Sequence, residues 1–164
     1  TGKGMIFDHH FVEFEYADGM KLNSQARQIA GTFVKLGEYF VGTKGTADTN
    51  MNQAMIKDYQ GNTLHMHRDR DDPKPQQLEH DVFFAAIRNG DYVNTAEYGA
   101  KSTMTSILGR MATYSGQVIQ WEDAIKSDYS LRNFSIENWD SNTPVKPDEK
   151  GDYPIPKPGI TKIL

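Results

Sequence analysis

The chain has 164 residues and a formal net charge of −4, with 37% hydrophobic and 24% charged residues. These values predict one folded domain of ordinary size and exclude global disorder. The acidic balance argues against nucleic acid as the main partner, because phosphate binding needs a basic face. No apolar run approaches the roughly 20 residues that cross a bilayer, so no membrane partner is expected either.

Cysteine is absent, which excludes disulfides, thiolate zinc sites and a cysteine nucleophile. The lack of thiols fits a cytoplasmic protein and an exported or periplasmic one equally well. The chain begins at Thr1 and not at methionine, which indicates either processing or excision from a longer protein. The sequence therefore gives no localisation.

The first half of the chain is predicted to form strands joined by hairpins. Residues 7–16 alternate apolar and acidic side chains, as in a half-buried strand, and Asp18-Gly19 is a strong turn signal. A second strand runs back through residues 20–30, and a third covers residues 33–42. A further hairpin covers residues 54–66 and turns at Gly61-Asn62. Gly42 and Gly45 are expected to serve a turn, and the sheet is expected to be mainly antiparallel.

The second half is predicted to be helical. After a charged link, one helix covers residues 77–90 and is closed by Gly90. The next begins at an Asn94-Thr95 cap, with Glu97 completing a capping box, and ends at Gly116. Gly109 inside this helix predicts a close backbone approach. A short last helix carries Glu122 and Asp123 in its first turn.

The order of elements predicts an α+β fold, an open and mainly antiparallel β-sheet with helices on one face. Residues 1–134 form the predicted α+β domain. Residues 135–164 are a proline-rich, extended C-terminal tail that packs on it. The open sheet face is expected to be covered by another domain or subunit.

A metal site is one hypothesis for the histidines. His9 and His10 are adjacent on a strand and point to opposite faces, whereas His65 and His67 share a face at a spacing that can bind zinc. A third ligand would have to come from Asp69, Asp71 or a distant residue. The alternative is a solvated strand end and loop.

Other candidate side chains leave two interpretations open. The guanidinium of Arg27 suits a carboxylate or sugar hydroxyls, or it is an ordinary ion-paired arginine. His80 is an acid–base or substrate-orienting group, or it is a surface or capping histidine. Trp121 and Trp139 are either sugar-stacking or packed, one buried and one against the tail. No dinucleotide fingerprint or phosphate loop is present.

Three runs of sequence together are specific to one family. They are VEFEYADGMKLNSQARQIAG (12–31), GEYFVGTKGTA (37–47) and LEHDVFFAAIRNGDYVNTAEYGAKSTMTSILGRMATYSGQVIQWEDAI (78–125). With Trp139 and the late PIPKPG, they resemble the C-terminal domain of Gfo/Idh/MocA oxidoreductases, in a branch common in sugar-degrading bacteria. The similarity covers nearly the whole chain from about Phe7.

The resemblance implies an open-sheet α+β domain of the glyceraldehyde-3-phosphate dehydrogenase-like type. In full-length members it follows an N-terminal Rossmann domain that binds NAD or NADP. The implied reaction is hydride transfer between the nicotinamide and a hydroxyl carbon of a sugar or polyol. The catalytic lysine of the family, in a Glu-Lys-Pro motif, lies in the Rossmann domain, as does the cofactor site. We therefore expect the chain to be inactive alone.

The resemblance also implies substrate-binding residues and partners. Arg27 and Gln28, after the first hairpin turn, and Glu79 and His80, at the start of the first long helix, are expected to orient the substrate by hydrogen bonds. The expected partners are a sugar-like substrate, the Rossmann domain, and a second copy in a homodimer or tetramer built through the open sheet face. Two alternatives remain: a non-catalytic carbohydrate-binding or scaffolding module, and a metal-dependent hydrolase that uses His65 and His67.

Overall fold

The computed structural model describes residues 5–70, 72–130, 135–141 and 145–163. Its strands are β1 His9–Glu15, β2 Lys21–Arg27, β3 Glu38–Gly42, β4 Gly45–Asn50, β5 Gln53–Asp58 and β6 Thr63–Arg68, and its helices are α1 Pro75–Asn89, α2 Ala96–Ser115 and α3 Trp121–Lys126. The predicted α+β class with open antiparallel sheet is confirmed. Residues 1–30 and 95–164 form one compact unit and residues 31–94 form another.

The first unit is built on the β1–β2 hairpin. Gly19 adopts a φ of 82° in its turn, where a side chain would be strained. The carboxylate of Asp18 accepts a hydrogen bond from the backbone N–H of Met20 at 3.0 Å, so this aspartate holds the turn closed. The predicted hairpin is therefore confirmed, with strands somewhat shorter than the sequence pattern indicated.

Helix α2 lies against the inner face of β1. Val12 and Phe14 on that face are half-buried. A Cβ atom at Gly109 would lie 3.1 Å from Cζ of Phe14 and 3.6 Å from Cγ2 of Val12. The prediction that Gly109 permits a close approach is confirmed, since a Cβ atom there would require the Phe14 ring to move.

The hydrophobic core of the first unit sits between α2, α3 and the C-terminal segment. Its buried residues are Met111, Tyr114, Ala124 and Ile163. The hydroxyl of Tyr114 donates to the carbonyl of Met5 at 3.1 Å. The backbone N–H of Gly159 donates to the carbonyl of Ser115 at 2.6 Å. The C-terminal segment therefore supplies both core volume and a partner for the end of α2.

The second unit contains a four-stranded antiparallel sheet in the order β3-β4-β5-β6. Gly42 pairs with Gly45 across the first turn, and Gly61, with a φ of 89°, serves the last turn, both as predicted. Three details of this unit differ from the sequence prediction. β4 begins at Gly45, directly after the turn, and β3 begins at Glu38 and not at Phe33. The strands of the chain also divide between two sheets instead of one. Helix α1 makes no close backbone approach to the four described strands of its own unit.

The helix ends follow the glycine pattern. Gly90 and Gly116 close α1 and α2 with left-handed φ values of 74° and 68°. The predicted capping box is wrong: Thr95 occupies the N-cap position without a side-chain hydrogen bond, and Glu97 accepts instead from Lys101 Nζ at 2.7 Å. None of the helices in the described ranges has the length and apolar character that crossing a membrane requires.

Candidate functional site

The outer face of the β1–β2 hairpin is the surface that points away from α2. Antiparallel pairing matches His9 with Arg27, Phe11 with Gln25, Glu13 with Asn23, and Glu15 with Lys21. Residues directly opposite one another in an antiparallel pair project to the same side of the sheet. These eight side chains therefore form one continuous surface, which we call the outer hairpin face.

An aromatic ring and two amides occupy the centre of the outer hairpin face. Phe11 is 63% exposed although it lies in the middle of a strand. Gln25 stands directly opposite Phe11, and Asn23 is the diagonal neighbour, near enough for side-chain contact. Neither amide makes a side-chain hydrogen bond within the described ranges. The centre thus offers an apolar platform flanked by donors and acceptors.

The turn end of the outer hairpin face is an ion-pair cluster. Lys21 Nζ lies 2.7 Å from a Glu13 carboxylate oxygen and 3.7 Å from one of Glu15. The pKa of Lys21 is raised, first by its hydrogen bond to Glu13 and then by the charges of both glutamates. Lys21 therefore stays charged and remains paired with the two glutamates. The amides at the centre are left as the accessible polar groups.

The open end of the face contains the predicted residue Arg27, and the predicted residue Gln28 follows it directly in the chain. Arg27 pairs across the hairpin with His9, and the backbone N–H of Gln28 donates to the carbonyl of Asp8 at 2.7 Å. His9 Nδ1 lies 2.7 Å from Asp8 Oδ1. That hydrogen bond is the main reason why the pKa of Asp8 is lowered. Arg27 and Gln28 are thus brought beside an aspartate–histidine pair.

The other two predicted residues lie near the start of α1, in the second unit. Glu79 and His80 are both exposed. His80 Nδ1 lies 2.7 Å from the carbonyl oxygen of Gln76. A carbonyl only accepts, so Nδ1 carries a hydrogen, and in the neutral imidazole Nε2 then presents a lone pair. His80 is therefore set to accept a hydrogen bond from a hydroxyl group.

The charges on the outer hairpin face cancel. Glu13 and Glu15 are balanced by Lys21 and Arg27 when His9 is neutral. A face of this kind gives no long-range attraction to a phosphate or a polycarboxylate. It suits a neutral ligand that carries both hydroxyl groups and C–H groups.

The histidines of β6 do not complete a protein-only metal site. No group of three or more histidine, aspartate or glutamate side chains is placed to hold a metal among the described residues, and Asp71 lies outside them. His65 and His67 alternate on β6 as predicted. His67 Nε2 lies 2.6 Å from Asp72 Oδ2, a contact that the sequence pattern did not suggest.

Neither tryptophan is one of the eight residues of the outer hairpin face. Trp121 is half-buried at the start of α3. Trp139 is fully exposed, so the expectation that one tryptophan packs against the tail is wrong for this residue. The aromatic residue that the sequence analysis missed is Phe11. Its signal was present, because strand alternation places Phe11 with Glu13 and Glu15 and not with Val12 and Phe14.

Comparison of the chain with models of protein families, with curated proteins and with solved structures finds no match. The fold and the site define an α+β chain with an open sheet and an exposed aromatic and amide surface. The interpretation of that surface rests on its geometry and on the sequence resemblance described above.

Proposed function

We propose that this chain is the substrate-binding and oligomerisation domain of an NAD(P)-dependent oxidoreductase that acts on a sugar, glycoside or polyol. The sequence resemblance suggests the reaction, and the open-sheet α+β fold is compatible with it. The nicotinamide cofactor, NAD or NADP, belongs to a separate Rossmann domain of the full-length protein. The role of this chain is to bind and orient the substrate, while hydride transfer depends on the other domain.

The observation that carries the proposal is the centre of the outer hairpin face. A sugar ring has one face of C–H groups, and these carry partial positive charge. The negative face of an aromatic ring such as Phe11 attracts them. Hydroxyl groups at the ring edge need both donors and acceptors, and the amides of Asn23 and Gln25 supply both.

The predicted residues take orienting roles in this proposal. Arg27 donates from its fixed fork of N–H groups to hydroxyl oxygens at the open end of the face, and Gln28 lies next to it. In the second unit, His80 accepts a hydroxyl hydrogen at Nε2, and Glu79 is a further acceptor. None of these side chains carries hydride. The contribution of Arg27 and Gln28 is to fix which hydroxyl carbon faces the nicotinamide.

Titration calorimetry with the isolated chain tests whether this chain binds the substrate and not the dinucleotide. We expect heat of binding with a polyol such as myo-inositol or with a monosaccharide such as glucose. NADH and NADPH are expected to give no binding, because the sequence has no element that cradles a pyrophosphate. Stoichiometric dinucleotide binding together with no response to sugars or polyols would contradict the proposal.

The oligomerisation part of the proposal concerns one face of the four-stranded sheet. Phe40, Ala47 and Ile56 are aligned across three strands, and Phe40 and Ile56 are exposed. An exposed apolar patch on a sheet suits a two-fold pairing with a second copy. We therefore propose a homodimer or tetramer that buries this face.

Replacing Ile56 by glutamate is expected to convert the oligomer into a monomer, since pairing would bury an ionised carboxylate within the apolar patch. Analytical ultracentrifugation gives the mass of each species. Val41→Glu is the matched control, because Val41 is exposed on the opposite face of the same sheet. A wild-type chain that is already monomeric, or equal dissociation by both variants, would refute the use of this face.

A second candidate is a non-catalytic carbohydrate-binding or scaffolding module. The observation in its favour is that one hairpin alone builds the outer hairpin face, so ligand binding needs no other domain. The two candidates differ in the native protein. An oxidoreductase reduces NAD or NADP in the presence of a bound sugar or polyol, whereas a module binds the sugar and leaves the dinucleotide unchanged.

A further inference from the structure

The second unit carries two imidazoles that the proposed function does not use. His65 and His67 stand opposite Ile56 and Ala54 in β5, and both therefore project from the same face of the sheet. Two residues along a strand span about 6.6 Å, a distance from which two histidine side chains can reach one ion. The imidazole of His65 makes no hydrogen bond within the described ranges, so the ring can turn toward His67.

Asp72 prepares His67 for such a role. Its carboxylate lies 2.6 Å from His67 Nε2 and accepts the hydrogen there, which leaves the lone pair on Nδ1. Metal-binding histidines almost always donate their second ring N–H to a carboxylate, a carbonyl or water in this way, and the partner fixes the tautomer.

A short turn after β6 holds the carboxylate in place. The backbone N–H of Asp72 donates to the carbonyl of Asp69 at 3.2 Å, and the N–H of Asp69 donates to the carbonyl of Asn52 at 3.2 Å. These bonds tie the turn to the loop between β4 and β5. The His67 and Asp72 side chains are about half exposed, so an ion can reach the imidazole from solvent.

We propose that His65 and His67 bind a Zn²⁺ ion, with Asp72 as the positioning residue for His67. Neutral imidazole nitrogens suit zinc, whereas calcium and magnesium prefer oxygen ligands. The described residues supply two protein ligands, and water completes the coordination. The site is therefore an exchangeable surface site of the single chain. It stands independently of the sugar-binding proposal, but it shares a sheet face with the proposed oligomer contact, because His65 stands opposite Ile56.

Titration of the full chain with zinc chloride, followed by calorimetry, tests the site. We expect one Zn²⁺ per chain, with binding lost in His65→Ala and in His67→Ala. Asp72→Ala should weaken binding by about tenfold, the usual effect of removing a carboxylate behind a histidine ligand, and Asp72→Glu should restore part of it. Binding should also weaken at acidic pH, because imidazole binds metal only when neutral.

His9→Ala is the matched control. His9 is also an exposed imidazole bonded to an aspartate, at 2.7 Å, but the residue two positions along its strand is Phe11. This variant should bind zinc like the wild type. Circular dichroism of each variant checks that the fold is retained. If an alanine variant does not fold, glutamine at the same exposed position is the substitution to use instead. No zinc binding by the wild type, or unchanged binding in His65→Ala and His67→Ala, would overturn the proposal.

Discussion

Replacing Met111 by alanine is expected to lower the free energy of unfolding by about 2–5 kcal/mol, the range for a large-to-small change in a packed core. Met111 is 3% exposed and contacts the small core that contains Tyr114, Ala124 and Ile163. The shorter alanine side chain leaves a cavity in this core. Because the first unit has few buried residues, the cavity removes a large part of the packing of that unit. Urea unfolding followed by circular dichroism measures the change.

Met51→Ala is the control for the chemistry of the substitution. Met51 is 78% exposed in a turn of the sheet, and its loss should change the stability by less than about 0.5 kcal/mol. Equal effects of the two substitutions would mean that Met111 does not lie in the core that the structure describes.

Gly116→Ala is expected to have the second largest effect. The φ of 68° at this helix end costs an L-residue about 1–2 kcal/mol. A Cβ atom there would lie 2.8 Å from Cβ of Pro158 and 3.0 Å from the backbone nitrogen of Gly159. Overpacking of this kind typically costs a further 1–3 kcal/mol, roughly. The substitution should therefore loosen the C-terminal segment from α2 as well as strain the helix end.

Gly90→Ala separates these two contributions. Gly90 ends α1 with a similar φ of 74°, and a Cβ atom there would meet nothing within 4 Å. The Gly90→Ala variant should therefore lose only the stability that the strained backbone costs. The difference in the free energy of unfolding between the two variants then reports the contact of Gly116 with the C-terminal segment. If the two variants lose the same stability, Pro158 does not pack on the end of α2.

The turns and helix ends could be predicted from the sequence because each depends on local backbone chemistry. Gly19, Gly61, Gly90 and Gly116 all adopt positive φ values, as expected for residues that close hairpins and helices. The capping box failed because its hydrogen bonds compete with other partners. Glu97 is placed one turn before Lys101, and an ion pair at that spacing is favourable on an exposed helix.

Strand β4 could not be predicted because its residues give no strand signal. Gly45, Thr46, Ala47, Asp48 and Thr49 are small or polar and have no alternation of apolar and polar side chains. Pairing on both sides, with β3 and β5, determines this strand instead. Such long-range pairing overrides local propensity. Phe33, Val34 and Leu36 are apolar but lie before β3, which begins at Glu38, where its pairing with β4 begins.

The candidate site was only partly visible in the sequence. Arg27 and Gln28 were identified from the resemblance. The alternation of β1 already marked Phe11, but Asn23 and Gln25 became candidates only when the register of the hairpin was known. A shift of one residue in the pairing would change which side chains stand beside Phe11. The Asp72 contact with His67 likewise depends on a turn that brings two separated residues together.

The central claim is that the outer hairpin face binds a sugar or polyol. Its most direct test is the set of backbone amide chemical shifts of the ¹⁵N-labelled chain during titration with myo-inositol and with glucose. We predict shifts concentrated in β1 and β2, absent in Phe11→Ala and retained in Phe83→Ala, which removes an exposed aromatic ring of α1. Shifts concentrated elsewhere, or a Phe11→Ala chain that responds like the wild type, would contradict the claim.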